Sequence, residues 1–387
     1  MKKEWFVKTL TLGIVVLFFG AGVVSAFNVN LEDKSKPLNL GNWLYVGGNG
    51  TGNYTSIQDA INDSVDGDTV FVYDDSSPYY ENIVIQKSIE LIGENRETTI
   101  ILGDESSDGV IVNISADNII ISGFTIQPHI GKPGGIFVNK NYASPDYWNI
   151  EVIQNITIFN NIITNTFWAG IFGIRLHYGN IYGNVIENCD GCGIILFISS
   201  NNTITNNVIS DCSYRGIKID GLWSPFRIKN YLYPKSENNI ISYNTINSNR
   251  WGIGLYSGTI NTTISYNNIT NNHGVFPYHD GVGLVINQAS KTHIVRNNFI
   301  DNYKNAYFNI INCFRYPQFL QNSWNNNYWG EPKDTPFRIN GTLWFLPFAR
   351  LPFGFSFPNF SLTEFELPWI AFDRHPAQEP YDIPIGI

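Results

Sequence analysis

The chain has 387 residues and a net charge of −9, with only 15% of residues charged, a balance that excludes a basic nucleic-acid-binding surface. Aromatic residues make up another 15% (10 Trp, 21 Tyr, 26 Phe), more than an aliphatic core would absorb. Some rings are therefore expected outside the core.

Residues 1–26 read as a secretory segment: Lys2, Lys3 and Lys8 precede an apolar run over 10–24, and a Val24-Ser25-Ala26 ending follows. If retained, the run approaches the length of a membrane span and would serve as an anchor. Either reading places the chain outside the cytoplasm, secreted or at the cell surface. Ten N-x-S/T sequons, among them Asn53, Asn113, Asn155 and Asn268, permit glycosylation there. Residues 27–42 form a linker. Ser56 then suits the N-cap of a short helix with Ile57, Ala60 and Ile61 on one face, and an amphipathic helix can cap the open end of a solenoid. The neighbouring Asp59, Asp63, Asp66 and Asp68 are read as solvating that cap, with a calcium site as the minor alternative. Short strands are predicted over 69–73, 83–85, 89–92, 99–102, 110–114 and 119–121.

From residue 158 onward the pattern becomes periodic. The stretches I-F-N-N-I-I, I-Y-G-N-V-I, I-T-N-N-V-I, I-S-Y-N-T-I, I-S-Y-N-N-I and I-V-R-N-N-F place Asn161, Asn184, Asn207, Asn244, Asn267 and Asn297 in the same position. Their spacings of 23, 23, 37, 23 and 30 reduce to a 23-residue unit with insertions of 14 and 7. A polar residue recurs at the eighth position of each unit (Asn165, Asn188, Asp211, Ser248, Asn271, Asp301). A glycine and a second apolar run follow, as at Gly170, Gly193 and Gly216. Runs of three to five residues rich in Ile, Val and Thr leave no room for a helix, and isoleucine in the frame argues against a leucine-rich repeat. The fold expected over 43–330 is all-β, a right-handed single-stranded parallel β-helix with three strands per coil. Stacked side-chain amides would then hydrogen-bond from coil to coil, making the asparagines scaffold rather than ligands. Phe124, 37 residues before Asn161, takes the first rung. Residues 331–387, rich in Pro, Phe and Trp and without a repeat, are expected to cap the last coil irregularly.

S-I-Q-D-A-I and G-D-T-V-F-V (56–61, 67–72), Y-Y-E-N-I-V-I (79–85), S-I-E-L-I-G-E (88–94), the N-N-x-I coils and N-x-N-Y-W-G (325–330) together resemble secreted NosD-type right-handed β-helix proteins. These are similar in turn to carbohydrate-binding and sugar-hydrolase β-helices. The ending F-D-R-H-P-A-Q-E-P-Y-D-I (372–383) resembles that of archaeal members. The resemblance implies periplasmic copper handling, but Met1 is the sole methionine, which excludes a thioether Cu(I) site.

Candidate chemistry lies where the chain departs from its period. Two extra loops, of 12 and 14 residues, leave the same turn three coils apart, about 14 Å at 4.8 Å per coil. The first carries Tyr142, Tyr147 and Trp148; the second carries Trp223, Phe226, Tyr231 and Tyr233, with Arg227, Lys229 and Lys235. Sugar C–H faces pack on such rings, so these loops could wall a groove for polysaccharide, with His177 beside it. The competing reading packs the rings onto the solenoid flank. Between the loops, Arg215, Lys218 and Asp220 are candidate catalytic residues for a lyase, epimerase or hydrolase, supplying a base and cations for a uronate carboxylate. Arg175 lies on the same floor. The seven-residue insertion brings His273, His279 and Asp280 together as candidate ligands for a divalent metal, calcium or copper. Cys189 and Cys212 occupy equivalent places in consecutive coils, so they are either disulfide-bonded or stacked thiols. The reading with most support is a monomeric extracellular protein binding a polysaccharide or cell-surface glycan. A carbohydrate-active enzyme and a structural or adhesive envelope element are the alternatives.

Overall fold

The computed structural model describes residues 41–104, 109–131, 133–140, 151–222, 234–273, 281–311, 321–345 and 365–384. Among them, three parallel sheets run the length of the repeat. The first has eleven strands, from Trp43–Val46 to Ser323–Asn325, and the second has eight, from Ile100–Gly103 to Asn298–Ile300. The third has eleven, from Ile83–Ile85 to Phe365–Asp373. Successive coils of the repeat add their strands to these sheets in order, which is the arrangement of a parallel β-helix.

Register follows the sequence frame residue for residue. Ile158, Ile181, Ile204, Ile241, Ile264 and Ile294 pair in succession on the first sheet. Ile163, Ile186, Ile209, Ile246, Ile269 and Phe299 do so on the second. All of them lie in the buried core. β-branched isoleucine suits this position because its stiff side chain packs on its own copies above and below. The recurring polar residue at the eighth position has a backbone cause. Asn165, Asn188, Asp211, Ser248, Asn271 and Asp301 all have φ between 51° and 58°, the left-handed region that Asn and Asp tolerate best among side-chain-bearing residues.

The asparagine column is a continuous hydrogen-bonded ladder. Asn161 Nδ2 donates to Asn184 Oδ1 at 3.1 Å, and the pattern repeats through Asn207, Asn244, Asn267 and Asn297 at 2.9–3.0 Å. In every rung the same oxygen also accepts the backbone N–H of the preceding asparagine. Phe124 does occupy the first place, its N–H donating to Asn161 Oδ1 at 3.1 Å. Two further members were not legible. Asn327 accepts from Asn297 at 3.0 Å, and Asp373 Oδ2 closes the ladder by accepting from Asn327 Nδ2 at 3.0 Å, Asn327 N at 2.9 Å and Trp329 Nε1 at 3.2 Å.

That closure changes the picture of the tail. Phe337–Phe345 adds a parallel strand to the third sheet, and Phe365–Asp373 pairs with it antiparallel. The tail therefore contributes two regular strands, the second of which carries the buried Asp373. At the other end, helix Ile57–Asp63 covers the first coils, with Ser56 as N-cap. The Glu81 carboxylate accepts the N–H groups of Ile57 and Gln58 at 2.8 Å each. The acidic residues near this helix accept local hydrogen bonds. Asp68 accepts from Asn42 and Val65, Asp66 from Ser88, and Asp63 from the Tyr54 hydroxyl.

The disulfide alternative is not realised: Cys189 and Cys212 are buried free thiols. In-register stacking points both side chains the same way, whereas a disulfide needs a dihedral near 90° across its sulfurs. Each thiol instead faces a carbonyl of its own coil, Cys189 that of Glu187 and Cys212 that of Ser210. Thr166 Oγ1 donates to Cys189 Sγ at 3.2 Å. The thiol–thiol contact with Cys189, then burial, pushes the Cys212 thiol well above its usual range.

Removing one rung should expose the ladder's worth. Asn207→Ala leaves the Asn184 backbone N–H without its acceptor and the Asn184 and Asn244 amides each short of a partner, and is expected to cost about 2–4 kcal/mol in denaturant unfolding. Asp373→Ala leaves three donors facing an apolar methyl and should cost at least as much, while Asp373→Asn, which keeps an acceptor oxygen, should cost clearly less.

Candidate functional site

The outer face of the third sheet carries side chains in columns, because parallel in-register strands superpose the same position of each coil. Phe137, Phe172, Ile195, Lys218 and Gly254 form one such column. Ile174, Phe197 and Asp220 form the next. Phe137, Phe172, Ile174 and Ile195 belong to a second buried apolar cluster, separate from the solenoid core. The cluster stops where Lys218 and Asp220 begin. These two are joined by an ion pair, Lys218 Nζ to Asp220 Oδ2 at 2.9 Å.

A groove of about 490 Å³ lies over this junction, lined by Trp168, Phe172, Cys192, Tyr214, Lys218 and Asp220, among others. Its aromatic sides come from the coil frame. Trp168, Gly191 and Tyr214 are 23 residues apart, at the turn that enters the third-sheet strand in three successive coils. Gly191 sits between the two rings with no side chain, and a Cβ there would meet the Trp168 carbonyl oxygen at 1.7 Å. Trp168 is 54% exposed and leans edge-on against Phe172, with ring centroids 4.9 Å apart.

The Tyr214 wall is braced from behind. The Arg215 guanidinium carbon lies 3.8, 4.2 and 4.6 Å from the ring centroids of Tyr214, Trp251 and Tyr256, and Arg215 Nε donates to the Tyr256 hydroxyl at 2.7 Å. Gly254 makes this cage feasible, since a Cβ there would meet the Tyr256 ring at 2.5 Å. Burial pushes the Tyr256 hydroxyl up to about 12, so it stays protonated. Arg215 itself is only 4% exposed, and the rings seal it from solvent. Burial likewise raises the Cys192 thiol, keeping it protonated despite the nearby Arg215 charge.

The sequence-predicted residues therefore separate. Lys218 and Asp220 line the groove together, while Arg215 lies beneath its wall. Tyr147, Trp148, Trp223, Tyr231, Tyr233, His279 and Asp280 fall outside the described residues, as do Tyr142, Phe226, Arg227 and Lys229. His273 is exposed, and among the described residues no group of three His, Cys, Asp or Glu side chains is placed to hold a metal. His177 is half-buried on the short strand Leu176–His177, which pairs with Ile153–Gln154, and does not line the groove. Trp168, Tyr214, Trp251 and Tyr256 were missed, although the step Trp168–Gly191–Tyr214 was in plain view in the 23-residue frame. A second aromatic group, Trp43, Tyr45, Phe71 and Tyr73, lies on or just past the first strands of the first sheet.

The right-handed β-helix region family matches residues 106–300, half of the chain, and the protein belongs to that family. A cell surface glycoprotein of Methanothermus fervidus is 32% identical over 164 residues, which is 42% of this chain and 22% of that protein. The chain thus spans about a fifth of the curated relative. Among solved structures, the enzymatically active domain of tailspike protein 2 from bacteriophage CBA120 superposes with a TM-score of 0.50 at 14% identity, covering 73% of this chain and 41% of that one. A mannuronan C-5 epimerase module of Azotobacter vinelandii gives 0.45 at 15% identity, covering 71% and 83%. At such identities these structures speak to the fold alone.

Desolvation, then the Arg175 charge, lowers the His177 pKa below its usual 6.5. The unfolded chain then binds the extra proton first, so this contribution to stability is full above about pH 6.5 and is lost as pH falls through the folded value. His177→Gln should flatten the unfolding free energy across pH 5–7 relative to the parent chain, as read by urea titrations at several pH values.

Proposed function

We propose that the protein is an extracytoplasmic, cell-surface β-helix that binds a glycan in the groove between Trp168 and Tyr214. The observation that carries this reading is the pairing of two aromatic walls with a charged, hydrogen-bonding floor in one concavity. Aromatic faces supply apolar area for sugar C–H groups, and a few fixed polar groups set orientation. The partial archaeal relative is named a cell surface glycoprotein, which supports the compartment.

Binding is favoured over turnover by the state of the polar groups. Elimination at a uronate would need a free base and an accessible cation beside the sugar carboxylate. Lys218 is held by Asp220, Arg215 is sealed behind Tyr214, and Cys192 is protonated and buried. None of these is poised to take a proton from a carbon.

Calorimetric titration of the full chain with soluble polysaccharides is the test. Trp168→Ala, at an exposed ring, should leave folding intact and weaken binding about 5–30-fold, equivalent to about 1–2 kcal/mol. Incubation with uronate polymers should yield no unsaturated products. Binding that ignores the loss of Trp168 would remove the groove as the site.

A further inference from the structure

The buried asparagine ladder has a counterpart on the surface. Asn118, Asn155, Tyr178, Asn201, Asn238 and Asn261 stand one per coil, just ahead of the first-sheet strands. All six adopt the left-handed conformation, with φ between 55° and 59°. The backbone N–H of each of the first five donates to the carbonyl that precedes the next member, so the column is in register. Side chains also bond from coil to coil. Asn155 Nδ2 donates to Asn118 Oδ1 at 2.9 Å, Asn238 Nδ2 to Asn201 Oδ1 at 3.2 Å and Asn261 Nδ2 to Asn238 Oδ1 at 2.7 Å. Whereas the inner ladder is sealed, here Asn155 and Asn261 are exposed and Asn201 is partly exposed.

Those three asparagines are the sequons of the column. The hydroxyl of a sequon lies two residues on. In this fold that position is a column of its own on the first sheet, Ile120, Thr157, Asn180, Thr203, Ile240 and Thr263. Within it, threonine stands only beside Asn155, Asn201 and Asn261, and all three threonines are partly exposed. The sequons therefore fall on every second coil, with the coils of Tyr178 and Asn238 between them, about 10 Å apart at 4.8 Å per coil. Carbon atoms in contact stand about 3.5–4.0 Å apart, so saturated rings rooted on adjacent coils would crowd each other. Alternate coils admit them side by side.

The fold does not treat every sequon this way. Asn113 lies on the third sheet in register with Phe137 and is only 9% exposed, which leaves no room for a sugar chain on its amide.

The chemistry of the modification also suits the column. A polyprenyl phosphate-linked oligosaccharide is the donor class. The asparagine Nδ2 forms a bond to the anomeric carbon, the bond from that carbon to the phosphate oxygen breaks, the amide releases one proton, and polyprenyl phosphate leaves. A primary amide has two Nδ2 hydrogens, so one remains for the bond from Asn155 to Asn118 and from Asn261 to Asn238. Asn201 keeps the oxygen that accepts from Asn238.

From the register, exposure and spacing of this column we infer that Asn155, Asn201 and Asn261 carry N-linked glycans, set in a row along one flank of the solenoid at every second coil. That flank then faces solvent in any cell-surface arrangement of the rod. The inference shares with the reading above only the extracytoplasmic compartment and is independent of the groove.

Glycopeptide mass spectrometry of the full chain from its own cells reads each site, with the chain made in a bacterial cytoplasm as the unmodified reference. The peptides of Asn155, Asn201 and Asn261 should each carry an oligosaccharide mass, and that of Asn113 none. Thr203→Val should strip the glycan from Asn201 and Thr203→Ser should keep it, while circular dichroism of both matches the parent chain. A bare row overturns the inference, as does occupancy of Asn113 equal to that of the row. Glycans confined to exposed sequons outside the row, such as Asn49, overturn the row and leave the extracytoplasmic reading standing.

Discussion

A polar amide buried at the corner of each coil from Asn161 onward must find a partner, and that single requirement organises the repeat. Each asparagine of the ladder is almost fully buried, and each resolves its own need by bonding to its copy in the next coil. The result is directional: donors point one way along the solenoid and acceptors the other. A ladder built only of amides would end with an unmet donor pair inside the protein. Asp373, brought in by the antiparallel strand at the C-terminal end, supplies an acceptor with full negative charge where the run of donors ends. Charge-assisted bonds are the stronger kind, so the terminus of the ladder is also one of its firmest points.

The same stacking that forces the ladder also writes the surface. A parallel in-register sheet can change its chemistry only from one coil to the next within a column, so a site appears where a column changes character. On the third sheet this happens between Ile195 and Lys218, and between Phe197 and Asp220. Backbone room is released by glycines at the two positions where bulk is needed beside them, Gly191 between the walls and Gly254 under Tyr256. Arg215 then trades solvent for three aromatic faces and stiffens Tyr214 from behind.

Much of this architecture was legible because repetition makes burial visible: isoleucine and asparagine recurring every 23 residues can only be a core and its polar corner. Phe124 was recoverable by the same arithmetic. Asp373 was not, since it is a carboxylate completing a row of amides and arrives from a strand that runs against the repeat. Asn327 was hidden for a different reason: its apolar flanks, Trp324 and Trp329, are buried in the core but are tryptophans where the repeat uses isoleucine. The groove was misplaced because aromatic residues were sought in the insertions, where sequence looks unusual, while Trp168 and Tyr214 sit within the ordinary frame. The thiol pair shows the limit of spacing alone. It brought Cys189 and Cys212 close, but the parallel side-chain vectors that oppose a disulfide are a property of stacking.

The ladder also separates length from function. A coil inserted between Asn244 and Asn267 would donate and accept through the same bonds as its neighbours, and both the helical cap and Asp373 would meet unchanged partners. The groove, by contrast, draws its walls and floor from three coils only, spanning residues 168–220. Duplication or loss of coils elsewhere in the repeat can therefore lengthen or shorten the rod, and so set how far the groove stands from either end, while leaving its chemistry untouched.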